Sequence, residues 1–391
     1  MHKRTPILTD GKALSCACAG LQAHLSLCAN GYKCKTEDLI QVLVAMTSQK
    51  LTLEQACAAL PQMPDATTIR GYLNAQLSVA QLPALEGEVN AALQAQLPRH
   101  LWRKSLDVAI DVHDQPFYGR TAQEQGKWVK GQRKAGTRRA YRIASACVMQ
   151  QGLRFTLSIV FMPHGVPLRD ALERLLGQLR RLGLQIKCLW MDRGFASVEI
   201  MQYLDEQRWS AGIGCPIRGT SAGQGTRALC QGRASYVTQH TFEDHRHHNT
   251  YSASVAVCRV VRNTARRSQR RRKTDWEIYI TINITLTPQQ VRQRYRHRFG
   301  IETSYRFANQ VRAWTTSPNP ALRFLLLGLA LYMYNVWVHL LGDYTQVPRK
   351  GGRYLDTARL RLSRLKRLLL QALESRYGAI TAITAPAAPR L

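Results

Sequence analysis

Acidic side chains are the scarce component of this sequence: 25 Asp and Glu stand against 55 Lys and Arg, a formal charge of +30. Such an excess opposes compaction by self-repulsion and is relieved by a polyanion whose neutralised phosphates release counterions. Acidic partners other than nucleic acid explain it less simply. Disorder is excluded, because 45% of the 391 residues are hydrophobic, enough for a core spread over roughly two or three domains. Paired C-x2-C spacing is missing: Cys16, Cys18, Cys28 and Cys34 follow no zinc-ribbon or finger pattern, so the ten cysteines are expected as thiols. The start, Met1-His2-Lys3-Arg4-Thr5-Pro6, lacks the apolar stretch of a secretory signal, which gives a cytoplasmic protein as the expectation. Internal repeats are lacking too. Only one run, 324–341, has the length of a membrane span, and Asn335 and His339 interrupt it, so it reads as a buried helix with no membrane partner.

The charge is unevenly placed. Residues 1–100 carry eight basic and seven acidic side chains, leaving +29 for residues 101–391. The first hundred residues read as a helical domain in which 51–60 and 66–77, across a Pro61–Pro64 turn, have a helix-turn-helix pattern. From residue 105 the periodicity becomes that of a strand, with Leu106, Val108, Ile110 and Val112 on one side and Asp107, Ala109 and Asp111 on the other. A hairpin over 141–149 and 153–161 follows, then a helix at 167–183, a strand at 186–191, a helix at 198–207 and a strand at 211–217. That order matches the beginning of the ribonuclease H-like α/β fold, with its last helix missing. A β-rich insertion, 218–285, intervenes before a helix opens after Thr285-Leu286-Thr287-Pro288. Residues 286–345 then complete the core, and 346–391 form a basic helix, at 359–376, with a tail expected to be disordered from 381.

Three acids sit where this topology brings elements together. Asp111 lies near the end of the first strand, Asp192 ends the fourth, and Glu302 lies on the final helix. Singly, each has an ordinary structural reading as a turn former or cap. Together they form a hard oxygen set suited to Mg²⁺ or Mn²⁺, two of which can assist in-line displacement at phosphorus. On the helix, Tyr295, Arg298 and Glu302 are spaced i, i+3 and i+7 and share a face, joined by Arg306, placing a carboxylate, guanidinium groups and an aromatic ring side by side. A simple i,i+4 ion pair between Arg298 and Glu302 is the competing reading. Asp107, farther from the strand end, and Asp114, in the loop beyond, compete with Asp111 for the first position. Lys127 and Lys130 in a basic, Trp-containing segment, and the dense run 262–273, are candidates for sequence-independent phosphate contact. The His240, His245, His247 and His248 cluster has no metal spacing.

Tyr295-x2-Arg298-x3-Glu302, in the string Tyr295-Arg296-His297-Arg298-Phe299-Gly300-Ile301-Glu302, resembles the signature of DDE transposases of the insertion-sequence-4 type, found in prokaryotes. The likeness extends to Asp192 in Met-Asp-Arg-Gly-Phe, Asp111 in Ile-Asp-Val-His-Asp-Gln-Pro-Phe-Tyr-Gly, the continuation Val311-Arg312-Ala313-Trp314, and the β insertion, over about residues 105–340. The resemblance implies Asp111, Asp192 and Glu302 as a metal-binding catalytic triad, Tyr295 and Arg298 on transposon-end DNA, and a dimer or higher oligomer on double-stranded DNA. It also implies a nucleoid-associated enzyme that hydrolyses and then transesterifies DNA. The signature's Lys, seven residues after the Glu, is Asn309 here, leaving its phosphate contact to Arg306 or Arg312. The rival readings are a DNA-binding descendant that no longer cuts and another ribonuclease H-like nuclease.

Overall fold

The computed structural model describes residues 6–119, 129–134, 136–149, 154–220, 223–244, 247–266, 269–350 and 352–383, with backbone alone at 129–134, 138, 262–266 and 269–273. Lys127, His245 and the tail beyond residue 383 lie outside the described residues, and Lys130 is described only by its backbone.

The chain opens with α1 (Asp10–His24), α2 (Thr36–Gln49), α3 (Leu53–Ala59), α4 (Ala66–Gln76) and α5 (Leu82–Ala95). Their starts are set by side-chain caps: Thr9 accepts from the Lys12 amide, Thr52 and Gln55 form a reciprocal box, and Asp65 accepts from the Thr67 and Thr68 amides. The sheet then begins with β1 (Leu106–Phe117), β2 (Val129–Lys134), β3 (Thr137–Val148) and β4 (Thr156–Met162). It continues through α6 (Leu168–Leu182), β5 (Ile186–Met191), α7 (Val198–Glu206) and β6 (Ala211–Cys215). Next come β7 (Tyr236–Asp244), β8 (Asn249–Arg266) and β9 (Gln269–Ile282). The chain closes with α8 (Pro288–Arg298), α9 (Gly300–Val311), α10 (Pro320–Tyr344), β10 (Gln346–Arg349), β11 (Gly352–Leu355) and α11 (Leu362–Tyr377).

One large sheet runs in the order β2-β3-β1-β5-β6-β9-β8-β7, with β4 also paired to β3. β3 runs antiparallel to both β1 and β4, whereas β5 and β6 run parallel to β1. β4 and β6 are buried along their whole length, the pattern of strands covered on both faces.

Three pairings go beyond the sequence reading. The segment with Lys130 forms β2, which pairs with the first part of β3. The segment read as an insertion extends the same sheet: β9 pairs antiparallel with β6, and β8 and β7 follow. The basic run continues the β8–β9 ladder, from Arg262↔Lys273 through Arg266↔Gln269.

The apolar run is α10, long and apolar enough to cross a membrane but with 94% of that stretch buried inside the protein. It packs against α1, α2, α5, α9 and β4. Asn335 explains its own presence there: its amide donates to the Leu93 and Thr156 carbonyls at 3.1 and 2.8 Å and accepts from the Thr156 N–H at 2.9 Å. α5 is tied to the sheet in a similar manner, with Glu86 accepting from the Phe161 amide at 2.9 Å and from Arg174 at 2.7 Å. The helical first hundred residues are therefore built onto the sheet through shared buried polar groups.

Candidate active site

Parallel pairing of β1 with β5 matches Ile110 with Met191. The next residue on each strand is an acid, so Asp111 and Asp192 stand on neighbouring chains, which lie about 4.8 Å apart in any sheet. Asp192 also caps the short turn 193–195, accepting from the Gly194 amide at 2.9 Å. Of the competing acids, Asp114 is taken by a two-pronged bond to Arg142 at 2.6 and 2.7 Å. One oxygen of Asp107 is buried and finds no hydrogen-bond partner among the described residues.

The third acid arrives from α8 and α9. These are two helices, where the sequence suggested one: the ladder breaks at Phe299, and α9 restarts at Gly300, where a Cβ would lie 2.4 Å from Nε of Arg154. The break divides the expected common face into a buried part and an open part. Tyr295 is only 9% exposed, its hydroxyl over Gly214 and its ring 4.7 Å from that of Tyr279. It is thus largely packed, and the remainder contributes to the wall of the cleft beside the acids. Arg298 is 4% exposed, against the rings of Tyr295 and Phe299. Glu302 has a side chain 53% exposed.

Arg298 joins the acids. Its guanidinium is 3.9 Å from Asp111 Oδ1 and 3.8 Å from Glu302 Oε1, near enough for electrostatic attraction and too long for hydrogen bonds. Burial pushes the Asp111 carboxyl up to about 6; Arg298 opposes that shift, while Asp192 and Glu302 add to it. Asp111 therefore senses both other acids and has less positive charge beside it than it needs. Among the described residues no three His, Cys, Asp or Glu side chains stand close enough to hold a metal ion in this arrangement. The donor chemistry nonetheless fits a hard divalent cation: the acids are all-oxygen donors, and the thiol of Cys215 in the same cleft is held up at about 12 by burial.

The acids open into a cleft of about 820 Å³ walled by Asp192 and Glu302, by Arg193, Arg292 and Arg296, and by insertion residues including Trp276 and Tyr279. Arg292 is fixed by Glu277 at 2.7 Å. The sequence reading missed Arg193, Arg292 and Arg296 as site residues; the i,i+4 spacing of Arg292 and Arg296 on α8 was the available signal. Arg306 is exposed on α9, and Arg312 is half-buried past its end with its guanidinium pKa lowered by burial. Neither lines the cleft.

Residues 102–336 match the family model described as "Transposase DDE domain", a span that holds all three acids. No curated protein matches the chain. Among solved structures it is similar to a piggyBac transposase synaptic complex with hairpin DNA, at 12% identity and a TM-score of 0.52, over 94% of this chain and 79% of that one. With more than half of its length covered by that family model, the chain belongs to the DDE transposase family and is a DNA-cleaving transposase.

Proposed function

We propose that this enzyme is a transposase of the insertion-sequence-4 type, cutting the ends of its own mobile element and joining them to target DNA in the prokaryotic cytoplasm. The strand order β4-β3-β1-β5-β6, three antiparallel strands followed by two parallel to the first, supports a ribonuclease H-like core. The observation that carries the reading is the Ile110–Met191 pairing, which sets Asp111 beside Asp192 with Glu302 reached through Arg298.

In this reading Asp111, Asp192 and Glu302 hold Mg²⁺ or Mn²⁺, two ions in all, which when bound supply charge neutralisation at phosphorus and a more acidic water. The chain's own residues do the remainder. Asp111 and Asp192 are fixed by paired strands, so little motion separates them from a binding arrangement. Glu302, on the open side of the helix break, is free to turn inward. Arg298 restrains the carboxylate charges from below, and Arg193, Arg292 and Arg296 offer guanidinium groups along the cleft for the DNA backbone. Hydrolysis breaks one phosphodiester bond and frees a 3′-hydroxyl; that hydroxyl then attacks a target phosphodiester, making one bond as another breaks. Because two ends must meet, a dimer or larger assembly on double-stranded DNA is the working form.

Cleavage of a labelled duplex bearing the DNA that flanks the gene, with Mg²⁺ or with chelator, tests this. Metal-dependent cuts by the wild type that vanish in Glu302→Ala are expected. Tight binding without cutting under either condition would instead establish a silent DNA-binding descendant.

A further inference from the structure

Away from the acids, a second cleft of about 830 Å³ lies where the helical N-terminal region meets the loop after α9. Its wall includes Lys50 and Thr52, Arg70 of α4, and Trp314, Thr315 and Ser317 of the loop. Trp314 is the unusual member. Its backbone is anchored, the N–H donating to the Leu51 carbonyl at 3.1 Å, yet its indole remains 55% exposed in the cleft.

Charge supplies an independent observation. Lys50 Nζ sits 5.1 Å from the centre of the Trp314 ring. Glu54, which also lines the cleft, is taken by Arg70. An ammonium group thus lies against an open indole, with the nearby carboxylate already paired to a guanidinium. An anion answers the first feature and a flat ring the second, and a nucleotide carries both.

Position selects which nucleotide. Glu302 is the third residue of α9 and the cleft lies past its end; the nine residues from Glu302 to Val311 at about 1.5 Å each make roughly 14 Å, near four nucleotide steps along a stacked strand. The cleft is concave and has the volume for a small ligand, whereas the rigid cylinder of a duplex cannot offer a base face to a ring at its floor.

We propose that this cleft binds one unpaired nucleotide of the DNA on which the enzyme acts, its base stacked on Trp314 and its phosphate against Lys50. The proposal rests on the transposase reading for the identity of the polymer. It adds a site for single-stranded DNA about four nucleotides from the cut, formed by helices of the N-terminal region together with the end of α9.

The test uses the full chain with chelator present, so that binding is read without cutting. Two probes are compared: a blunt duplex, and the same duplex with a six-nucleotide single-stranded extension containing 2-aminopurine. The wild type is expected to prefer the extended probe and to quench its fluorescence. Trp314→Leu should lose roughly tenfold to a hundredfold in affinity for the extension, together with the quenching, while blunt-duplex binding is unchanged. Trp314→Phe, which keeps a ring, should recover part of both, and Lys50→Gln should flatten the salt dependence for the extended probe only. Equal affinity of the wild type for both probes would overturn the proposal, as would the same loss on both probes in Trp314→Leu. A wild type that binds the extension in this way but never cuts in Mg²⁺ would remove the transposition reading and leave the nucleotide site standing.

Discussion

Asp111 carries opposing demands. The fold buries it, which disfavours its charge, and the proposed chemistry at phosphorus needs that charge as a ligand. Its folded-state pKa of about 6 lies above the ordinary 3.8, so the sign follows directly: the protonated form is favoured in the folded protein, and the stability it gives is full below about pH 4 and lost as pH rises through 6. Asp111→Asn should therefore abolish cleavage yet stabilise the chelated protein by about 1–2 kcal/mol at pH 7.5, less than the full linkage because Arg298 loses its partner. Denaturant melts at pH 7.5 and pH 4 check this; a gain that persists at pH 4 would point to packing and not to charge. Asp111 and Asp192 were candidates beforehand, from strand alternation and an acid at each strand end, with Asp107 and Asp114 competing for the first position. Their surroundings were not legible. That Arg298 is buried and Glu302 half open appears only with the helix break at Phe299, next to which the Arg154 side chain, far away in sequence, packs against Gly300.

α8 and α10 show how single contacts seat whole elements. The Tyr295 hydroxyl lies where a Cβ on Gly214 would come within 2.4 Å, so α8 settles on β6 only because that position is glycine. Gly214→Ala should displace α8 and with it Arg298, lowering cleavage at least tenfold while far-ultraviolet circular dichroism stays unchanged. Adding Tyr295→Phe should restore part of the rate by removing the colliding oxygen; no recovery would mean that the contact does not position the helix. In α10, Asn335 satisfies both backbone groups of Thr156. Asn335→Leu leaves them buried and unpaired, an expected loss of about 2–4 kcal/mol by chemical denaturation. The helical pattern and the buried reading of this segment came from composition, but the reason for a polar residue at its centre appears only once β4 is laid beside it.

For the whole molecule, the consequence of shared polar anchors is that the catalytic region does not stand alone. A fragment limited to residues 102–345 would expose the faces of α10 that α1, α2 and α5 cover, so it should aggregate where the full chain stays in solution, as size-exclusion chromatography would show. A monomeric, cooperatively melting fragment would refute that dependence. The sequence by itself determined the excess of positive charge, most of the core strands and helices and the candidate acids, because charge, periodicity and caps act over a few residues and can be read locally. Only the tertiary structure decided that 218–285 joins the main sheet through β9 and β6, that the basic run is a strand ladder, and that Tyr295 is largely buried in the wall of the site. Pairing between strands far apart in the chain is fixed by which edges and faces remain uncovered when everything else has packed, and no local pattern encodes that.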